Sequence, residues 1–216
     1  MIVETFAVGM LGCNCTILGD PESGEAIVID GGDDVEAIAT RLAAHALRPR
    51  YLLHTHAHFD HIGALGPLRE RVGGDGLLHP ADRPLYALMR TRAATLGFDH
   101  GYEPVALDGD IADDDEYVAG RVRLRAIHTP GHTPGSTSFA LDMGGATTLF
   151  TGDTLFRGAV GRWDLGGTSL ADIVASIRMR LLDYPEATRV VCGHGADTTI
   201  GHERATNPFL VAAPAG

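Results

Sequence analysis

Lysine is absent from this chain of 216 residues: all 17 basic side chains are arginine. No amine is available as Schiff-base former, general base or phosphate clamp. Cysteine is scarce, with only Cys13, Cys15 and Cys192. An odd, sparse count argues against a disulfide framework and for a reducing cytoplasm. Cys13 and Cys15 would share a strand face, where they are expected as packed thiols rather than a bridge. No apolar run approaches the ~20 residues a bilayer span needs. Met1-Ile2-Val3-Glu4 carries an acid where a signal peptide would carry a base, so neither a membrane partner nor secretion is expected. Positive charge is also short, with 28 acids giving a net charge of −11. A nucleic-acid module usually shows a basic face, so no nucleic-acid partner is expected. Glycine and proline together stay below the roughly 25–30% that marks low complexity.

What remains is an ordinary globular composition of 44% hydrophobic and 21% charged residues, long enough for one domain with its own core. The expected domain covers 1–210, with a loose tail over 211–216. Apolar runs and alternation predict strands over 2–8, 15–18, 26–29, 51–53, 122–127, 136–141, 147–150 and 190–192. The run Ala26-Ile27-Val28-Ile29 reads as a strand buried on both faces. Helical spacing predicts helices over 33–47, 62–72, 84–96 and 168–182, with a weaker one over 202–210. Asp33 or Asp34 is expected to cap the first of these, and Ser169 with Asp172 to form a capping box on the fourth. Two similar halves, each with strands and helices, imply a layered α/β protein. No short-period repeat is present, which excludes a solenoid.

Against this background the 11 histidines stand out. The segment Thr55-His56-Ala57-His58-Phe59-Asp60-His61 follows an expected strand and precedes an expected helix. In extended backbone His56 and His58 project to the same side, so two imidazoles can reach one metal. Asp60 and His61 follow the turn and can address a neighbouring position. Imidazole plus carboxylate, without thiolate, suits Zn, Fe or Mn bound for chemistry. Three further strand ends carry candidates: His132 in Thr-Pro-Gly-His-Thr-Pro-Gly, Asp153 in Thr-Gly-Asp-Thr and His194 in Cys-Gly-His-Gly. A small residue precedes each, which lets backbone approach closely.

Asp30, His56-x-His58-x-Asp60-His61, His132, Asp153 and His194, in that order, resemble the metallo-β-lactamase superfamily. Four strings bring the chain closest to its hydroxyacylglutathione hydrolase (glyoxalase II)-like branch: Thr-Pro-Gly-His132-Thr-Pro-Gly-Ser, Thr-Gly-Asp153-Thr-Leu-Phe, Gly161-Arg162-Trp163-Asp164-Leu165 and Glu203-Arg204-Ala205-Thr206-Asn207-Pro208. The resemblance implies a four-layer αββα sandwich with two divalent metal ions at one edge, zinc first and iron or manganese as other options. By position, His56, His58 and His132 would hold one metal. Asp60, His61 and His194 would hold the other, and Asp153 would bridge them. Asp30 would support the site from outside.

Two divalent ions about 3.5–4 Å apart can share a hydroxide and polarise a carbonyl, so no protein nucleophile is required. The expected activity is hydrolysis of a small-molecule acyl thioester of the S-lactoylglutathione kind, with Asp60 and Asp153 as the catalytic carboxylates. Asp60 would orient the attacking hydroxide. Arg157 and Arg162 are candidates to meet an anionic substrate, and Trp163 is expected in the core. Full-length glutathione-specific enzymes carry a C-terminal helical domain with basic residues. Its absence here, with the absence of lysine, predicts only modest preference for the glutathione part. His54, His79, His128 and His202 are not expected as ligands. The loop over 9–14 is expected near the metals by resemblance alone. Competing readings are a mononuclear iron persulfide dioxygenase-like protein, a lactonase or β-lactamase of the same superfamily, a nuclease, and a metal-stabilised module without activity.

Overall fold

The chain's two halves each build one six-stranded sheet. The structure is a computed structural model, and the described residues are 1–98, 101, 103–164 and 167–211. In the first half, β1 (Ile2–Val8), β2 (Cys13–Asp20) and β3 (Glu25–Ile29) form an antiparallel meander. Helix α1 (Val35–Ala44) then crosses over to β4 (Arg48–Leu53), which lies parallel to β3. Helices α2 (Phe59–Ile62) and α3 (Leu65–Val72) cross over to the parallel strand β5 (Asp75–Leu78). Helices α4 (Arg83–Ala87) and α5 (Met89–Thr95) precede the short parallel strand β6 (Gly109–Asp110).

The second sheet has the order β14-β13-β10-β9-β8-β7. Its strands are β7 (Glu116–Ala119), β8 (Val122–His128), β9 (Thr137–Asp142) and β10 (Thr147–Gly152), then β13 (Arg189–Cys192) and β14 (Thr198–Thr199). A small ribbon of β11 (Leu155–Phe156) and β12 (Ala159–Val160) stands apart. Helix α6 (Leu170–Ser176) continues into a π-helical turn over Ile177–Leu181, and α7 (Ile200–Thr206) and α8 (Pro208–Val211) follow β14.

Strand alternation distributes side chains among three apolar cores. Ile17, Val28 and Leu52 face α1 and α3, where they meet Ile38, Leu42 and Leu68. Their neighbours Leu18, Ile27 and Leu53 face the other way, against Leu124, Phe139 and Val191 of the second sheet. The outer face of that sheet, with Leu149 and Val190, packs on Ile173, Ile177 and Leu181. Helix, sheet, sheet and helix are therefore the four layers of an αββα sandwich. Burying strands on both faces explains the continuous apolar run at 26–29. Parallel β3, β4 and β5 and the co-directional β8, β10 and β13 all end on one edge, where α/β proteins gather their functional loops.

Local signals were partly overridden. Asp34 occupies the N-cap of α1 in a left-handed conformation, φ 49°, without capping it; its carboxylate instead accepts the Gly9 N–H at 2.8 Å. Ser169 does cap α6, accepting from the Asp172 N–H at 3.2 Å. The helix expected over 84–96 is two helices that meet at Leu88. No helix among the described residues is long and apolar enough to cross a membrane. Of the expected tail over 211–216, all but Val211 lies outside the described residues, as does Leu165.

Candidate metal centre

The strand-end loops bring the seven side chains into one cluster. His56 Nε2 lies 3.0 Å from His58 Nδ1 and 3.2 Å from His132 Nε2, and His132 Nε2 lies 3.0 Å from His58 Nδ1. These three nitrogens form a nearly equilateral triangle. Its edges are close to the roughly 3.3 Å expected between ligands of a tetrahedral ion with bonds of about 2.0–2.1 Å. Beside it, His194 Nε2 lies 3.2 Å from His61 Nε2 and 3.1 Å from Asp60 Oδ2. Asp153 divides its carboxylate between the two groups. Oδ2 lies 3.6 Å from His132 Nε2, whereas Oδ1 lies 3.4 Å from His61 Nε2 and 3.7 Å from His194 Nε2.

Four of the five imidazoles have the outer nitrogen engaged, which aims the inner one at the centre. His132 Nδ1 donates to the Arg162 carbonyl at 2.7 Å. His194 Nδ1 donates to the Leu11 carbonyl at 3.1 Å, within the 9–14 loop. His61 Nδ1 donates to Asp30 Oδ2 at 3.0 Å. His56 Nδ1 donates to the Thr55 hydroxyl at 3.1 Å, and that hydroxyl donates on to Asp30 at 2.7 Å. The lone pairs of His56, His58 and His132 thus converge on one point, an arrangement that repels unless a cation lies among them. Asp153 Oδ1 is buried with no hydrogen-bond partner, a cost that a bound cation removes. The donor set fits divalent metal.

Protonation agrees with this fit at the three-histidine group, because metal donors must be deprotonated; at His61 and His194 the neighbouring carboxylates outweigh burial and raise both imidazoles above their ordinary value. Burial, and then the neighbouring imidazoles, push His56 well down and His58 down to about 3. Burial also pulls His132 down, against the opposing field of Asp153. For Asp153 and Asp60 burial acts upward, yet the surrounding histidines hold both carboxyls below their usual value.

Two glycines make this closeness sterically feasible. A Cβ on Gly161 would sit 1.7 Å from the Asp153 carbonyl, and one on Gly193 would sit 2.2 Å from Asp153 Oδ1. The Gly161-Arg162 pair thus acts through backbone, with the Arg162 carbonyl holding His132. The Arg162 side chain pairs with Asp164 at 3.0 Å. Arg157 is exposed in the β11–β12 turn and does not line the cavity above the cluster. Trp163, expected in the core, is half-buried and packs against the third core from its edge, edge-on to Phe209. Among the other histidines, His54 is buried with Nδ1 against the His61 carbonyl, and His79 stacks on His128 at 4.1 Å.

Three features carry no sequence signal. The Cys13 thiol lies 3.4 Å from His61 Nδ1, and burial pushes it up to about 12, so it is a neutral packed thiol. Asp82 is wholly buried beneath the histidine loops. The cluster opens into a cavity of about 690 Å³, walled by Leu11, Phe59, Met89, Leu96, Phe156 and Val160, with Arg92 and Arg162 at its side.

The metallo-beta-lactamase superfamily model matches residues 8–194, and the chain belongs to that superfamily. Its glyoxalase II-like branch is consistent with two curated relatives. Hydroxyacylglutathione hydrolase GloC of Haemophilus influenzae is 32% identical, covering 97% of this chain and 98% of that protein. The probable metallo-hydrolase YqgX of Bacillus subtilis is 36% identical, covering 86% and 87%. Among solved structures, the BLEG-1 B3 metallo-beta-lactamase superposes with a TM-score of 0.87 at 34% identity, covering 98% of this chain and 100% of that one. TTHA1623 in a di-iron-bound form superposes with a TM-score of 0.83 at 38% identity, covering 94% and 98%.

Proposed function

We propose that the protein is a binuclear metallohydrolase that cleaves an acyl thioester of the hydroxyacylglutathione type. The carrying observation is the division of Asp153, one oxygen toward each of two complete donor groups. His56, His58 and His132 would hold one ion, Asp60, His61 and His194 the other, and Asp153 both. Bound there, divalent ions supply Lewis acidity and bring the pKa of water near 7. Iron is as open as zinc, since a neighbouring structure holds two irons.

The chain's own residues do the rest. Asp60, kept ionised by His61 and His194, lines the cavity and orients the attacking water. The apolar wall keeps bulk water from the acyl carbon. A C–O bond forms, the C–S bond breaks, and the thiolate leaves without a general acid. The water's protons pass through Asp60 to solvent. A thioester is supported by the GloC relative, which matches over almost its whole length.

The test is thioester hydrolysis and O₂ uptake on one metal-assayed sample. Turnover of S-lactoylglutathione with two metals per chain is expected. Persulfide-dependent O₂ uptake with one iron per chain would replace this reading by the dioxygenase. A second reading, β-lactam hydrolysis, is favoured by the B3 lactamase neighbour; a cephalosporin turned over faster than the thioester would establish it instead.

A further inference from the structure

Beneath the histidine loops lies a buried carboxylate that belongs to neither donor group. Asp82 ends the single 3₁₀ turn Pro80–Asp82 that follows β5, and none of its surface is exposed. Its Oδ2 accepts the Ala57 N–H at 3.0 Å and the Thr133 hydroxyl at 2.7 Å. Its Oδ1 accepts the Gly135 N–H at 2.6 Å. Ala57 lies between His56 and His58, and Thr133 directly follows His132. One oxygen atom therefore joins the backbone of the His56–His58 loop to the loop of His132. The first loop comes from the first sheet and the second from the other, so the bond crosses between the layers.

We propose that Asp82 is a positioning residue that sets the spacing of His56, His58 and His132, and thereby the metal affinity of that donor group. The proposal rests on the two-metal reading. A buried carboxylate that accepts from the neutral donors Ala57 N–H, Thr133 hydroxyl and Gly135 N–H is costly to retain for stability alone. Its advantage is geometric: only a carboxylate offers two acceptor oxygens at this span. Asparagine has one, so its amide nitrogen would face either the Gly135 N–H or the pair at Oδ2. Backbone presses directly on the group, for a Cβ on Gly135 would lie 2.7 Å from Asp82 Cγ. A second tie, the Thr137 N–H to the Thr55 carbonyl at 2.8 Å, holds the strand ends together further back. Asp30 has a comparable place behind His61, where it accepts from His61 Nδ1, the Thr55 N–H and the Thr55 hydroxyl.

The test titrates demetallated protein with Zn²⁺ against a chromophoric chelator. The His194→Ala background isolates the three-histidine group, and His56→Ala isolates the other. Asp82→Asn should weaken zinc at the three-histidine group about 10–100-fold, the range for losing an outer-shell partner of metal ligands, and leave the other group unchanged. Thr133→Val removes one of the three donors and should give a smaller loss at the same group; it carries the test if Asp82→Asn does not fold. In the cobalt-loaded protein both variants should alter the absorption spectrum of the three-histidine site. Equal weakening of both groups, or unchanged zinc affinity in the folded variants, would overturn the proposal and leave Asp82 a role in the fold alone. Fewer than two ions bound by the unmutated chain would instead overturn the two-metal reading itself.

Discussion

At the scale of single residues, two carboxylates differ in what they face. Asp153 faces both imidazole groups and has an unpartnered buried oxygen, whereas Asp30 faces away from the cavity and accepts protein donors only. Asp153→Ala removes the carboxylate that faces both donor groups. It should abolish hydrolysis and weaken both metals, measured as turnover and ions per chain. Asp30→Asn keeps the shape but loses one acceptor oxygen, so at least one of the Thr55 N–H, the Thr55 hydroxyl and His61 Nδ1 loses its acceptor. Hydrogen bonds to charged groups contribute about 1.5–3 kcal/mol, so thermal unfolding should show a loss of that order. Metal affinity of the Asp60-His61-His194 group should fall with it. The histidines and Asp153 were legible in the sequence because they recur beside small residues at strand ends. Asp82, Cys13 and the Leu11 and Arg162 carbonyls were not, because they meet their partners only across the fold. Arg162 was legible as a residue, yet the contact that matters is its backbone.

Elements position these residues, and their boundaries were less legible than their existence. Strand β5 is short and holds Gly76, so no alternation betrays it. The 84–96 periodicity is genuine but spans a break at Leu88, and the stripe over 168–182 passes unmarked into a π-helical turn. The β11–β12 ribbon has only two residues per strand, below any pattern, yet it carries Gly161 to within a hydrogen of Asp153. Gly161→Ala puts a methyl 1.7 Å from the Asp153 carbonyl, so the ribbon must move and draw the Arg162 carbonyl from His132. A displacement of this kind can cost about 10²-fold in rate. We expect a drop in kcat of that order in steady-state kinetics, with thermal stability changed far less. Ser169→Ala makes the opposite separation. Loss of the α6 cap should cost about 0.5–2 kcal/mol on denaturant unfolding and leave kcat unchanged, since α6 packs in the third core.

Across the whole molecule, the two sheets are joined at the edge remote from the histidine cluster as well as beside it. Asp20, at the end of β2, accepts Arg121 Nη2 at 2.7 Å and Nε at 3.0 Å, along with the Arg121 N–H at 3.1 Å. Arg121 lies in the β7–β8 turn. The guanidinium beside it holds the Asp20 carboxyl below the usual carboxylate range. A depressed carboxyl contributes stability fully above its unfolded value, about 3.9, and loses it as pH falls through the folded value. Asp20→Asn should therefore unfold at a lower temperature at pH 7, with the difference from the unmutated chain shrinking below about pH 4. The layered α/β class was legible from the alternation of strands and helices. The pairing of two sheets through Asp20 and Arg121 was not, because neither residue belongs to a recognisable motif.

The central claim is that seven side chains form two metal sites sharing Asp153. Metal content per chain, measured on protein purified without chelator, tests it most directly. The unmutated chain should hold two ions, while His56→Ala and His194→Ala should each hold one, lost from opposite groups. One ion in the unmutated chain, or two in either variant, would contradict the account.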